Sequence, residues 1–214
     1  MKRAFMVVAT AAIAATVATT ACTNMPRSRD LGNPNIAAMT IAQQVCSDCH
    51  GVTGNSVSPN FPNLAAQTSP YLIAQLRGFK SHNRADPAGF EYMWGLSRSL
   101  SDEQIAGLAA YYAAQSPAAN KGRNDATRVS AGKQIFETGV AAKNVPACGS
   151  CHGALAQGNA TFPRLAGQHA DYVVKQLIVF QRTDNRPEGA VMKVIAHDLA
   201  PDEIENLAAY LQSL

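Results

Sequence analysis

Apolar positions along this chain recur with the 3.6-residue period of helices, and nowhere do they alternate long enough to make a strand. Ile105, Leu108, Ala109 and Tyr112 fall at i, i+3, i+4 and i+7, and 99 positions later Ile204, Leu207, Ala208 and Leu211 repeat the stripe. Ser101 and Gln104 have the spacing of a capping box, and Asp102 and Glu103 complement the positive end of that helix. Pro201 suits a first helical position in the second copy. Leu100 and Leu199 are expected to open these last helices. A middle helix is expected over 71–79 and again over 172–180, with a short helix around 36–45 and 131–138. The pattern predicts an all-α fold.

The stripes belong to a duplication. Phe61-Pro62-Asn63-Leu64-Ala65-Ala66-Gln67 lies in register with Phe162-Pro163-Arg164-Leu165-Ala166-Gly167-Gln168. Tyr71, Gln75, Leu76 and Phe79 match Tyr172, Gln176, Leu177 and Phe180, and Asn83-Arg84 matches Asn185-Arg186. Two copies are too few for a solenoid, so the reading is two tandem domains, 36–117 and 130–214. Proline, glycine and polar residues replace apolar periodicity over 118–129, the expected linker.

Charge and composition sharpen the class. At 214 residues, 47% hydrophobic and 15% charged, the chain is globular in character, yet 7% aromatic content is thin for large cores built from side chains alone. The formal charge of +3 includes Lys2 and Arg3, leaving 16 basic against 15 acidic residues. That balance gives no basic field for nucleic acid. Met1-Lys2-Arg3 followed by an alanine- and threonine-rich run reads as a secretory leader over 1–21, which places the chain in the periplasm. Cys22 follows Thr19-Thr20-Ala21, a small-residue run resembling a lipoprotein signal, so Cys22 is a lipid-anchor candidate and 22–35 a flexible tether. Cleavage elsewhere, leaving Cys22 free or removed, is the plain alternative.

The chemistry lies in two copies of Cys-x-x-Cys-His, Cys46-Ser-Asp-Cys49-His50 and Cys148-Gly-Ser-Cys151-His152, 102 positions apart. This is the c-type haem attachment pattern: both sulfurs reach one porphyrin edge and the next residue offers an imidazole to the iron. A zinc half-site or a redox dithiol would also use Cys-x-x-Cys. Neither explains a histidine directly after the second cysteine in both copies, so two haem c (iron) are expected as cofactors.

The opposite face of each iron needs a ligand or an opening. Met93 follows His50 by 43 residues and Met192 follows His152 by 40, and each precedes its leucine, Leu100 or Leu199, by seven. One methionine in register after each motif is better explained as a thioether ligand than as core filling. Met39 has no repeat partner and is assigned to helix packing. His82, His169 and His197 also lack histidine at the matching position, so surface or loop roles are their default. Pro62 and Pro163 follow their histidines by 12 and 11 residues, and a rigid proline loop can hold a carbonyl beneath the imidazole.

Taken in order, Cys-x-x-Cys-His-Gly, Phe-Pro-x-Leu-Ala-x-Gln, Tyr-x-x-x-Gln-Leu, a methionine and Leu-x-x-x-x-Ile-x-x-Leu-Ala-Ala-Tyr occur twice over about residues 36–214. The chain resembles the di-haem cytochrome c4 family. The resemblance implies two class I cytochrome c domains meeting near their haem propionates, and electron transfer in the periplasm. The expected partners are a respiratory donor such as a cytochrome bc1 complex and a terminal oxidase or other redox protein. His/Met capping of both irons leaves no reacting centre, which favours a carrier over a di-haem enzyme. Residues alone do not separate a free carrier from a dedicated electron-transfer subunit of a dehydrogenase or oxidase.

Overall fold

The structure, a computed structural model, describes residues 27, 29–119 and 125–214. The expected leader, Cys22 and residues 120–124 of the expected linker lie outside the described residues. In the first half, α1 (Ala38–Ile41) continues through a π-helical turn (Ala42–Cys46) into α2 (Ser47–His50), so helical backbone runs straight into the first cysteine motif. Then come α3 (Ser69–Lys80), a π turn (Gly89–Met93) leading into α4 (Trp94–Ser97), and α5 (Asp102–Ala113). The second half has α6 (Ala126–Thr138), a 3-10 turn (Ala141–Lys143), α7 (Gly149–His152) and α8 (Ala170–Arg182). A 3-10 turn (Pro187–Gly189), α9 (Ala190–Ala196) and α10 (Pro201–Ser213) complete it. Among the described residues no strand forms; Val140–Val145 and Asn159–Phe162 are isolated bridges.

Each half buries its own apolar cluster, which makes the duplication two cores. The α5 stripe meets Ile36, Ile41, Ala42 and Leu72 in the first, and the α10 stripe meets Phe136, Val173 and Leu199 in the second. The first and last helices of each domain cross closely at a glycine. A Cβ on Gly107 would meet Ala38 Cβ at 2.6 Å, and one on Gly132 would meet the Asn206 carbonyl oxygen at 1.9 Å. Ser101 and Gln104 form the expected capping box: Ser101 Oγ accepts the Gln104 N–H at 3.2 Å, and Gln104 Oε1 accepts the Ser101 N–H at 3.0 Å. The second domain keeps half of it. Alanine offers no acceptor at 200, while the Glu203 carboxylate accepts the Ala200 N–H at 2.7 Å.

The structure moves several expected boundaries. Leu100 and Leu199 precede the last helices and are buried beneath them, because the caps fall at Ser101 and Ala200. α6 ends at Thr138 as expected but begins at Ala126, inside the expected linker, and the first domain's counterpart runs as continuous helix into its cysteine motif. Met39 is 57% exposed and fills no core. The end of the expected tether is docked: Leu31 packs on the first core, and Gln104 Nε2 donates to the carbonyls of Asn33 and Ile36, both at 3.0 Å.

The domains meet across a polar interface with approximate two-fold character. Arg84 binds Asp86 at 2.9 and 3.2 Å, Gln75 of its own domain at 2.6 Å and the Tyr172 hydroxyl of the other at 3.3 Å. Arg186 in turn binds Glu188 at 2.9 Å, donates to Gln176, and crosses to Gln75 at 2.9 Å and Tyr71 at 3.4 Å. Each guanidinium also lies over a phenylalanine, Phe79 at 4.4 Å and Phe180 at 4.6 Å. Burying a cation costs several kcal/mol unless it is paired, and here a carboxylate two residues along pairs each one.

Candidate functional site

The two Cys-x-x-Cys-His motifs occupy matching places, at the end of a short helix closed by a glycine with positive φ: Gly51 at 75° and Gly153 at 83°. A side chain there would be strained, and a Cβ on Gly51 would also lie 2.5 Å from the Asn55 carbonyl oxygen. The helix therefore stops directly after the histidine, and the chain turns back beneath the ring. It returns at Pro62 and Pro163, whose carbonyls each accept the proton of a buried imidazole: His50 Nδ1–H to Pro62 at 2.9 Å, His152 Nδ1–H to Pro163 at 2.9 Å.

This bond fixes the tautomer, because a carbonyl can only accept. Nδ1 carries the proton, and Nε2 keeps its lone pair with no hydrogen bond to any described residue. Burial pushes both histidines below the usual pKa, with the proline carbonyls opposing it in part, so the rings stay neutral. A neutral imidazole with Nδ1 bonded and Nε2 free is the form that binds a metal. Phe61 and Phe162 stand edge-on to these rings at centroid distances of 6.2 and 6.1 Å.

The four motif cysteines form no disulfide with one another, and all are partly buried. Burial raises Cys46 and Cys148 to about 11, and Cys49 is also raised by burial. A redox dithiol needs the opposite shift, since the thiolate is its nucleophile. The zinc reading fails on placement: the motifs sit in separate domains, and the described residues hold no cluster of three or more His, Cys, Asp or Glu suited to a metal. Partly buried thiols beside a neutral imidazole suit covalent haem.

Met93 closes the π turn and is followed by α4, with its carbonyl accepting from Ser97 Oγ at 2.6 Å; Met192 lies inside α9. Both are half-buried. The loops that carry them are anchored differently. Trp94 Nε1 donates to the Arg84 carbonyl at 2.8 Å, and Tyr92 packs edge-on against Phe61 at 5.8 Å, linking the first methionine loop to the histidine side. In the second domain Lys193 replaces Trp94 and pairs with the exposed Asp184, while Val191 replaces Tyr92 and is 56% exposed.

The remaining histidines divide. His82 stacks on Trp94 at 4.1 Å, and His197 pairs with Asp198 at the surface. His169 has the expected loop position, directly before α8. It is nonetheless half-buried between the domains, its Nε2–H donating to the Ser56 carbonyl at 3.0 Å. Arg164 is a residue that periodicity did not single out. Its Nε is a buried polar atom without a hydrogen-bond partner among the described residues, directly after the carbonyl that holds His152. A haem carries two carboxylates, and a guanidinium with an unused donor suits one. In sequence, the signal was a charge standing where the first repeat has Asn63.

Comparison with known proteins agrees with this geometry. The cytochrome c family model matches residues 37–114 and 129–214. Cytochrome c4 of Pseudomonas aeruginosa is 40% identical over 174 residues, covering 79% of this chain and 84% of that one. The chain belongs to the cytochrome c4 family. The crystal structure of reduced recombinant cytochrome c4 from Pseudomonas stutzeri superposes with a TM-score of 0.72 at 34% identity, over 86% of this chain and 99% of that chain. A thiosulfate dehydrogenase from Marichromatium purpuratum gives a TM-score of 0.72 at 31% identity, over 82% of this chain but 39% of that one. As a cytochrome c4 relative, the chain binds two haem c, one at each Cys-x-x-Cys-His motif, and its work is electron transfer.

Proposed function

We propose that this chain is a periplasmic di-haem relay in which His50 and Met93 cap one iron and His152 and Met192 the other. Bound haem supplies one-electron exchange between ferric and ferrous iron. The protein's part is to hold each imidazole neutral and oriented, present a thioether opposite it, and exclude further ligands. The observation that carries this reading is the repeated pairing of a buried imidazole Nδ1–H with a proline carbonyl, at 2.9 Å in both domains. A soft thioether favours ferrous iron and raises the potential, as a carrier between a respiratory donor and a terminal oxidase requires.

Ferric protein should show the near-infrared sulfur-to-iron charge-transfer band. Met93→Ala and Met192→Ala should each remove about half of it and lower one potential. High-spin iron at both sites in the parent protein would refute the ligand set. Intact mass tests the export reading: a lipid-modified Cys22 at the mature N-terminus supports a membrane tether, and an unmodified terminus elsewhere rejects it.

The likeness to thiosulfate dehydrogenase favours a second reading, a dedicated acceptor for a sulfur-oxidising dehydrogenase. Co-purification separates the two, since a dedicated acceptor travels with its dehydrogenase and a free carrier does not.

A further inference from the structure

The interface holds a reciprocal contact that haem attachment does not call for. Gln67 of the first domain is 6% exposed and grips one residue of the second: the Arg164 N–H donates to Gln67 Oε1 at 2.7 Å, and Gln67 Nε2 donates to the Arg164 carbonyl at 3.0 Å. Gln168 of the second domain, 7% exposed, grips Asn63 of the first in the same way, at 2.8 and 3.0 Å. Each glutamine thus makes a two-point amide pair across the domain boundary.

The gripped residue directly follows the proline beneath the histidine. The Pro62 carbonyl and the Asn63 N–H belong to one planar peptide group, as do the Pro163 carbonyl and the Arg164 N–H. A single rigid plane therefore carries two hydrogen bonds on opposite edges. On one edge the imidazole Nδ1–H meets the carbonyl at 2.9 Å, and on the other the N–H meets a glutamine of the opposite domain. Hydrogen bonds in such a chain polarise one another: an acceptor on the N–H makes the carbonyl a better acceptor, which makes the imidazole more basic.

We propose that Gln67 and Gln168 are positioning residues that act in trans, each setting the basicity of the iron-binding imidazole in the other domain. Gln67 acts on His152 and Gln168 on His50. The two haem potentials are thereby tied to the integrity of one interface, and opening that interface shifts both upward. This rests on His50 and His152 being iron ligands.

The experiment is a redox titration of the holoprotein, with each potential assigned to its domain by haem methyl resonances. Gln67→Leu keeps the side-chain bulk and removes the amide. It should raise the potential of the second domain and leave the first unmoved, and Gln168→Leu should do the reverse. In the ferrous state, the Nδ1–H resonance of the opposite histidine should move upfield as its hydrogen bond weakens. Tyr71→Phe deletes a different interdomain bond, to Arg186, and should move neither potential selectively. Shifts in the variant's own domain, equal shifts in both, or none would overturn the proposal. Should a leucine variant fail to hold haem, Gln67→Glu and Gln168→Glu keep the acceptor on the N–H as a stronger, anionic one, so the opposite histidine's resonance should move downfield and its potential fall; the absence of crossed movement would overturn the proposal. Failure of the ligand reading shows separately, as a parent spectrum that is not low-spin.

Discussion

Gly132→Ala sets two physical effects of opposite sign against each other. In an isolated helix this change stabilises by about 1 kcal/mol, since glycine has the greater backbone freedom to lose. In this fold the added methyl would lie 1.9 Å from the Asn206 carbonyl oxygen and 2.9 Å from Tyr210 Cβ, where α6 crosses α10. Ordinary carbon–oxygen contact begins near 3.3 Å, so the helices would have to part by roughly 1.4 Å. The obstacle is backbone and cannot rotate away, which puts the cost at the upper end of overpacking, about 3 kcal/mol. The separation also loosens Phe136, 1% exposed, from Tyr210, whose ring is 5.5 Å away. The expected net loss is about 2 kcal/mol, or a fall in the second domain's Tm of roughly 8–16 °C.

Calorimetry and guanidinium unfolding of the holoprotein measure this loss, and the chain's one tryptophan, Trp94, reports the first domain separately by fluorescence. Gly95→Ala is the control: nothing lies within 4 Å of its Cβ position, so it should be neutral or stabilising. A Gly132→Ala protein as stable as the parent, or more so, would refute the close crossing.

Ser101→Ala removes the acceptor half of the first domain's capping box and should cost about 0.5–2 kcal/mol in chemical denaturation, whereas Ala200→Ser should gain part of that. Burial alone would raise Asp86, but the Arg84 charge and hydrogen bonds, the Gln176 amide and Arg186 outweigh it and hold the carboxyl below its usual range. A depressed folded pKa gives stability that is complete above the unfolded value, about 3.9, and is lost as pH falls through the folded one. Acid titration should therefore leave the interface intact at neutral pH and open it only well into the acid range, and Asp86→Asn should flatten that part of the profile. Arg164→Gln removes a cation beside the second centre and should lower that potential alone, with Arg164→Lys restoring part of the shift, as read by redox titration.

Much of the fold was legible in the sequence because helices and haem attachment are local. The stripes on α5 and α10, the capping box at Ser101 and the two cysteine motifs each lie within a few turns of chain, where spacing alone dictates geometry. The duplication came from comparing the chain with itself, and the prolines beneath the histidines from their repeated offset. Where helices begin and stop was less legible: the π turn over Ala42–Cys46 and the start of α6 at Ala126 follow from how each domain closes over its core.

Only the tertiary structure decided how the halves meet. The repeat marks Gln67, Gln168 and Arg164 as positions, but nothing local says what they or His169 bind, since each has its partner about a hundred positions away. The physical reason is that helical periodicity reports which face is buried but not which polar groups face one another across a boundary. Sequence fixes the donors and acceptors each domain carries; their pairing depends on the relative orientation of two closed cores, and that exists only once both have folded.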